Sequence, residues 1–343
     1  MKKIVGLIVS LTLLAGILAG CAGTSAGSQT PPPESSPPAA QTETPEAGSP
    51  DASAAAWPRT VEDSLGKQIT LEKKPERVAL LDFGYIETMY ALEIPPIASI
   101  LAVQTIKGFG TLQPYAADVQ VQELGTGAAP NLEKLAELQP DFILLTAEKE
   151  HLDMTVYEAV SKIAPVVAFN IPDWKAQLRA FAECLGAEEK AAAFISDTEA
   201  LIAASRGKLA GYSDKTVALM FERLGKPGEF VITGSTENPV WFNAEDGLGL
   251  TPPDGYPKAR EFISLEGLAE MNPDYLFLFG TVTPDGDGYK QLYLTEETKA
   301  SSVWQSLNAV KNGHVYYLDA AVRAAGPLSI QLGIETIVES MTK

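Results

Sequence analysis

Histidine is nearly missing from this chain: His151 and His314 are the only two in 343 residues, and neither has a neighbouring ligand at metal-site spacing. A metal held directly by side chains is therefore not provided for. Cysteine is equally scarce, with Cys21 and Cys184 alone. Basic residues are outnumbered 26 to 44, giving a formal charge of −18 that excludes nucleic acid as a partner, since a polyanion would be repelled. Also absent are the phosphate-cradling patterns G-x-G-x-x-G and G-x-x-x-x-G-K-[ST] after a strand, and the Ser-centred G-x-S-x-G elbow. These absences predict no catalytic residue, no intrinsic cofactor and no enzyme.

The amino terminus is organised as an address. Lys2 and Lys3 precede a mostly apolar stretch, Ile4 to Ile17, too short to span a bilayer comfortably. Leu18-Ala19-Gly20-Cys21 then resembles the lipobox of bacterial lipoproteins. That resemblance implies a signal peptide over 1–20, cleavage before Cys21, a diacylglycerol with palmitate-type chains on its sulfur, and a mature protein anchored outside a cell membrane. Two acyl chains suffice for stable anchoring, at roughly 0.8 kcal/mol per buried methylene. Residues 22–56 contain no large apolar side chain, so with Cys21 they form an expected disordered tether over 21–56, stiffened by its prolines. Without the signal, 24 basic residues face 44 acidic ones, a formal charge of −20, which suits a body held by lipid and spacer rather than by a basic surface. Cys184 then has no disulfide partner and is expected to pack as a small apolar residue on a helix at 174–185.

Within the body, Asn131 to Asp141 (NLEKLAELQPD) and Ser264 to Asp274 (SLEGLAEMNPD) nearly repeat each other 133 positions apart, identical at seven of eleven places. Each copy runs into an apolar stretch, Phe142 to Thr146 or Tyr275 to Gly280, and so reads as helix, Pro-Asp corner and buried strand. A unit of this kind occurring twice predicts two similar lobes with a ligand cleft between them. Other unbroken apolar runs at Val78–Leu81, Ile97–Val103, Val166–Phe169, Val217–Phe221 and Val315–Leu318 read as strands of covered parallel sheets. Helical patterns fall near 84–93, 153–163, 174–185, 239–248, 301–309 and 327–341. From Ala187 to Leu209 apolar residues keep helical spacing for some twenty residues with no proline, predicting a spine that joins the lobes and limits hinge motion. The expected division is 57–186 for the N-terminal lobe, 187–210 for the linking helix and 211–343 for the C-terminal lobe.

Several segments, in order, resemble the class III substrate-binding proteins of ABC importers, which capture iron-siderophore complexes, haem and cobalamin. The opening Thr60-Val61-Glu62-Asp63-Ser64-Leu65-Gly66-Lys67, followed by Lys74-Pro75-Glu76-Arg77-Val78, matches the family's hairpin and P-x-R-V lead into the first strand. Both L-E-x-L-A-E-x-x-P-D segments, Ile163 to Val167, Leu185 to Ala191 and Trp304 to Gly313 add to it. The resemblance implies an α/β fold of two Rossmann-like lobes joined by one long helix, a shallow cleft for a metal chelate, and a surface that docks on a permease with its ATPase. In the family an exposed acid on each lobe pairs with permease cations. Glu87 falls at the first place, and Glu245 with Asp246 near the second.

A ferric catecholate is strongly anionic and needs converging guanidinium or ammonium groups. Arg223, just past the strand Val217–Phe221, is the first candidate because strand ends face the crevice. Lys107, Lys149, Arg260 and Arg323, each in an expected loop, come next, and Tyr85, Trp241, Phe109 or Tyr289 could wall the site. The expected function is capture of a ferric siderophore by a monomeric, lipid-anchored, extracytoplasmic receptor. Haem or cobalamin is the alternative within the class, and a lipid-anchored enzyme or sensory receptor the alternative outside it.

Overall fold

The computed structural model describes residues 57–117, 120–126, 129–237 and 239–343; the expected signal, Cys21 and tether lie outside the described residues. A hairpin opens the body, β1 (Arg59–Glu62) pairing antiparallel with β2 (Gln68–Leu71). Asp63 closes its turn by accepting from the N–H groups of Leu65 and Lys67, both at 2.9 Å.

The N-terminal lobe then runs β3 (Val78–Leu80), α1 (Tyr85–Ala91), β4 (Ala98–Ser99), α2 (Ala102–Gly108), β5 (Gln122–Glu123), a small hairpin β6 (Gly125–Thr126) and β7 (Ala129–Pro130), and α3 (Leu132–Glu137). It continues through β8 (Phe142–Thr146), α4 (Met154–Val160), β9 (Val166–Phe169) and α5 (Trp174–Leu185). Its sheet is parallel throughout, in the order β5-β4-β3-β8-β9. The long helix α6 (Glu188–Leu209) follows, 22 residues or about 33 Å at 1.5 Å per residue.

The C-terminal lobe comprises β10 (Val217–Glu222), β11 (Glu229–Ile232), α7 (Pro239–Phe242), β12 (Glu261–Ser264), α8 (Leu265–Met271), β13 (Tyr275–Phe279) and the hairpin β14 (Thr281–Asp285) with β15 (Gly288–Leu292). The short helices α9 (Glu296–Ala300), α10 (Ser302–Ser306) and α11 (Asn308–Lys311) lead to β16 (Val315–Leu318), α12 (Ala320–Ala324) and α13 (Pro327–Thr342). The sheet order is β12-β11-β10-β13-β16, with β10, β13 and β16 parallel and β11 antiparallel to both its neighbours.

The sequence repeat has a physical basis. In the first copy the Asp141 carboxylate accepts from the backbone N–H of Arg77 at 2.8 Å, one residue before β3; in the second, Asp274 accepts from the N–H of Thr216 at 2.9 Å, one residue before β10. Each corner aspartate thus fixes the start of the neighbouring parallel strand, and each helix is capped by its leading polar residue, Asn131 or Ser264. The strands that follow, FILLT and YLFLF, are buried at every position.

One apolar core links the lobes: Ile86, Phe181, Ile195, Trp241, Phe277 and Ile334 belong to it, drawn from α1, α5, α6, α7, β13 and α13. The outer face of each sheet has its own smaller core, around Ile143 in one lobe and Leu276 in the other. Among the described residues no helix is long and apolar enough to cross a membrane.

Four expectations are corrected. The run Ile97–Val103 holds only the two-residue β4, because Leu101 turns the chain at φ 52° and α2 begins at Ala102. Helix 239–248 stops at Phe242. The stretch 301–309 is broken by Leu307, extended at ψ 142°. The strands β11 and β12, absent from the sequence reading, widen the second sheet.

Candidate functional site

In open parallel sheets the ligand crevice lies at the carboxyl ends of the strands where the order reverses. In the N-terminal lobe that point falls between β3 and β8, whose ends lead to Asp82 and Glu148; in the C-terminal lobe it falls between β10 and β13, leading to Arg223 and Gly280. The two lobes therefore offer the cleft walls of opposite charge.

The N-terminal wall borders a cavity of about 300 Å³ lined by Asp82, Tyr85, Thr146, Glu148, Phe169 and Trp174, with Ala324, Ala325 and Gly326 closing it from the other lobe. Asp82 accepts from the N–H of Gly84 at 2.8 Å. Burial pushes its carboxyl above the usual carboxylate range, against the opposing pull of the Gly84 N–H. Glu148 is exposed and 2.8 Å from His151 Nδ1.

The C-terminal wall is basic and aromatic. Arg323, on α12, lays its guanidinium 4.4 Å from the centroid of Phe221, and Arg223 lies 4.6 Å from that of Phe262. Phe221 and Phe262 oppose Val231 from either side in the same register, so they share a sheet face with Arg223 and Arg260. Partial burial, with neighbouring Arg260 second, depresses the Arg323 pKa. Phe262 is 60 % exposed, a free ring face that the sequence reading missed.

The structure groups some expected site residues and separates others. Arg260 is a charged neighbour of Arg323, and Arg223 shares their sheet face, but Arg260 precedes β12 and lies toward the amino end of that strand; Arg223 is paired with Glu229 at 2.5 Å, whereas Arg323 has no ion pair among the described residues. Tyr85 lines the cavity while its hydroxyl donates to the Phe169 carbonyl at 2.9 Å, and burial raises its pKa. Lys149 is exposed beside Glu148. Lys107 is exposed on α2 rather than in a loop, in the segment that packs on the β14–β15 hairpin. Trp241 is no cleft wall: it is fully buried, resting against Gly333 of α13, where any added Cβ would meet its ring.

Glu87 is likewise corrected. It is 1 % exposed, on a helix all of whose residues are buried. Its carboxylate accepts from the Thr111 hydroxyl and from the N–H of Ser329 at 3.3 Å, in the first turn of α13. Gly326, the α13 N-cap, has no side chain to cap with, so Glu87 supplies the acceptor from the other lobe. Burial pushes its pKa up to about 7 despite these donors. Such a carboxylate holds the lobes together and is not available to a permease. Glu245 is exposed in the turn after α7, where its carbonyl accepts from Arg206 at 2.6 Å.

The repeat places one exposed acid on each lobe. Glu133 and Glu266, at the same place in the two copies, are both exposed in the first turns of α3 and α8. Because α3 follows β5, and α8 follows β12, which runs parallel to β10, both helices start at the carboxyl-end side of their sheets. The two acids therefore stand on the cleft side of each lobe.

Two switch-point crevices facing one another, in lobes joined by one long helix, define a two-lobed ligand-binding receptor. The chain belongs to the periplasmic binding protein family, which matches residues 78–322. It is similar to the petrobactin-binding protein YclQ of Bacillus subtilis, 28 % identical over 276 residues that cover 76 % of this chain and 80 % of that protein. It is also similar to the iron(3+)-hydroxamate-binding protein FhuD of the same species, 28 % identical over 291 residues, 80 % of this chain and 84 % of that one. The fold matches that of Staphylococcus aureus SirA complexed with staphyloferrin B, with a TM-score of 0.63 and 23 % identity over 82 % of this chain and 98 % of that chain. The relatives are substrate-binding proteins and not enzymes.

Proposed function

We propose that this protein is the extracytoplasmic receptor of an ABC importer, that it captures a ferric siderophore, and that the chelate presents negative charge to the C-terminal lobe. The observation that carries the reading is the pair of guanidiniums on one face of the C-terminal sheet, Arg323 on Phe221 and Arg223 on Phe262, with Arg260 a charged neighbour of Arg323. In a chain of net charge −18, a local cationic wall of this kind is a recognition feature and not an average property. The names of the relatives, petrobactin-binding and iron(3+)-hydroxamate-binding, support an iron chelate as the ligand class.

Delivery follows from the same architecture. Glu133 and Glu266, one exposed acid per lobe on the cleft side, are the pair that meets the permease, in place of Glu87. Cys21 carries the lipid that keeps the receptor at the outer surface of the membrane, and the receptor acts as a monomer. The test is a fluorescence titration, with Trp174 on the cavity as reporter, against ferric siderophores, haemin and cobalamin. Saturable quenching by a ferric chelate is expected; saturation by haemin or cobalamin alone would overturn the siderophore reading.

A further inference from the structure

Capture of an anionic chelate gives the basic wall a role and the opposite, acidic wall none. A site built only for an anion would not place carboxylates on its other side, since each would repel the ligand across the cleft. Yet the ends of β3 and β8, the switch point of the N-terminal sheet, present Asp82 and Glu148 to the cavity. No lysine or arginine is among the described residues that line it, and neither carboxylate has one as an ion-pair partner there. Glu148 meets only His151 at 2.8 Å, a partner that carries charge only when protonated. Asp82 is half-buried and meets a backbone N–H at 2.8 Å. The Thr146 side chain and His151 also favour its charged form, yet burial outweighs them, so a bound cation beside Asp82 and Glu148 would add a stabilisation that the cavity lining does not complete. The rest of the lining is aromatic, Tyr85, Phe169 and Trp174, the surroundings that suit an organic ammonium rather than a hydrated metal ion.

The space also sets the division of labour. At about 300 Å³ the cavity takes an arm of a chelate and not the whole of it. Its C-terminal wall, Ala324 to Gly326, is the residue run immediately after Arg323. A ligand lying across the end of α12 would thus have one end at the guanidiniums and the other at the carboxylates.

We propose that the cleft selects a chelate of mixed charge: an anionic ferric centre on Arg223, Arg260 and Arg323, and a protonated amine arm in the cavity between Asp82 and Glu148. The inference rests on the siderophore reading and narrows its substrate class. It makes the acidic wall a specificity determinant, because a chelate carrying only negative charge meets repulsion there, and a chelate with an ammonium meets a desolvated partner.

Two probes that differ in one group test it. The ferric complex of bis(2,3-dihydroxybenzoyl)spermidine, with its central amine free, is compared with the ferric complex of the same molecule acetylated at that amine, by fluorescence titration of the full-length protein at low and moderate salt. The free amine is expected to bind at least about tenfold tighter, with the preference shrinking as salt rises. In Asp82→Asn and in Glu148→Gln the ratio of the two affinities should fall toward one. Asparagine keeps an acceptor for the Gly84 N–H, and Glu148 is exposed, so at least the second variant keeps the fold. Equal affinities in the parent protein, or a preference that both variants retain, would overturn the mixed-charge proposal while leaving chelate capture standing. If neither ferric probe binds and no chelate of the panel does, the siderophore reading itself falls, and this proposal with it.

Discussion

The carboxylate of Glu87 in the N-terminal lobe caps the N–H of Ser329 in the last helix of the C-terminal lobe, at 3.3 Å. Two effects compete at this junction: the start of a helix favours a negative charge, and burial opposes it. With its pKa about 7 against the ordinary 4.5, burial prevails, helped by the nearby Asp319 carboxylate.

This fixes a direction for the pH dependence of stability. A group whose pKa is higher in the folded state contributes most when protonated, below its unfolded pKa, and that contribution is lost as pH rises through the folded value. Thermal unfolding of the parent protein should therefore show a loss of up to roughly 3 kcal/mol between pH near 4.5 and above 7, and Glu87→Gln should flatten that slope. Melting curves at constant ionic strength across this window check it. A slope as steep in the variant as in the parent would place the titration elsewhere.

Gly326 should tolerate no side chain. A Cβ there would overlap the Glu87 carboxylate, which is buried and has nowhere to turn. Gly326→Ala is expected to destabilise by about 1 to 3 kcal/mol, as overpacking does, and Gly326→Ala combined with Glu87→Ala should recover part of the loss. Denaturant titration of the two variants measures that coupling.

Among the guanidiniums, Arg323 should outrank Arg223. Arg223 is already paired with Glu229 at 2.5 Å, whereas Arg323 sits on Phe221 without a described carboxylate partner. Arg323→Ala is expected to weaken an anionic ferric chelate more than tenfold, and Arg323→Lys to recover only part because the planar group that stacks is lost. Arg223→Ala should cost less. An Arg323→Ala protein that binds the best panel chelate like the parent would remove the basic wall from recognition.

Transport should depend on Glu133 and Glu266 in a way that ligand capture does not. Charge removal at both, Glu133→Ala with Glu266→Ala, is expected to lower uptake several-fold through weaker docking while the dissociation constant for the chelate stays where it was. Uptake by whole cells and titration of the purified protein provide the two readouts. Unaltered uptake would point the permease to another surface.

What the sequence made legible follows the physics of each signal. The repeat, its corner aspartates and the long helix Glu188–Leu209 were readable because periodicity and local caps are encoded within a few residues of each other. Glu87 was misread, although the signal was present: Ile86, Met89, Tyr90 and Ala91 surround it on a helix with no polar face, which marks a buried helix and hence a buried acid. The burial of Trp241 depends on Gly333, 92 positions away on α13, and nothing local announces such a pairing. The Arg223–Glu229 ion pair lay within one hairpin, but β11 itself went unread, and with it the neutralisation of the favoured arginine. The acidic wall needed both strand ends brought side by side before Asp82 and Glu148 could be seen as one feature.

The position of α13 bears on how the chain acquires its structure. Ile330, Ile334 and Met341 share a core with Ile86, Phe181 and Ile195, residues that precede them by more than a hundred positions. A chain emerging amino terminus first cannot finish covering its first lobe until α13, more than a hundred residues later, has been made. Until then α1 and α5 expose an apolar face. The two lobes thus complete their shared core together, once α13 is in place, and loss of that helix exposes the apolar core of both halves at once.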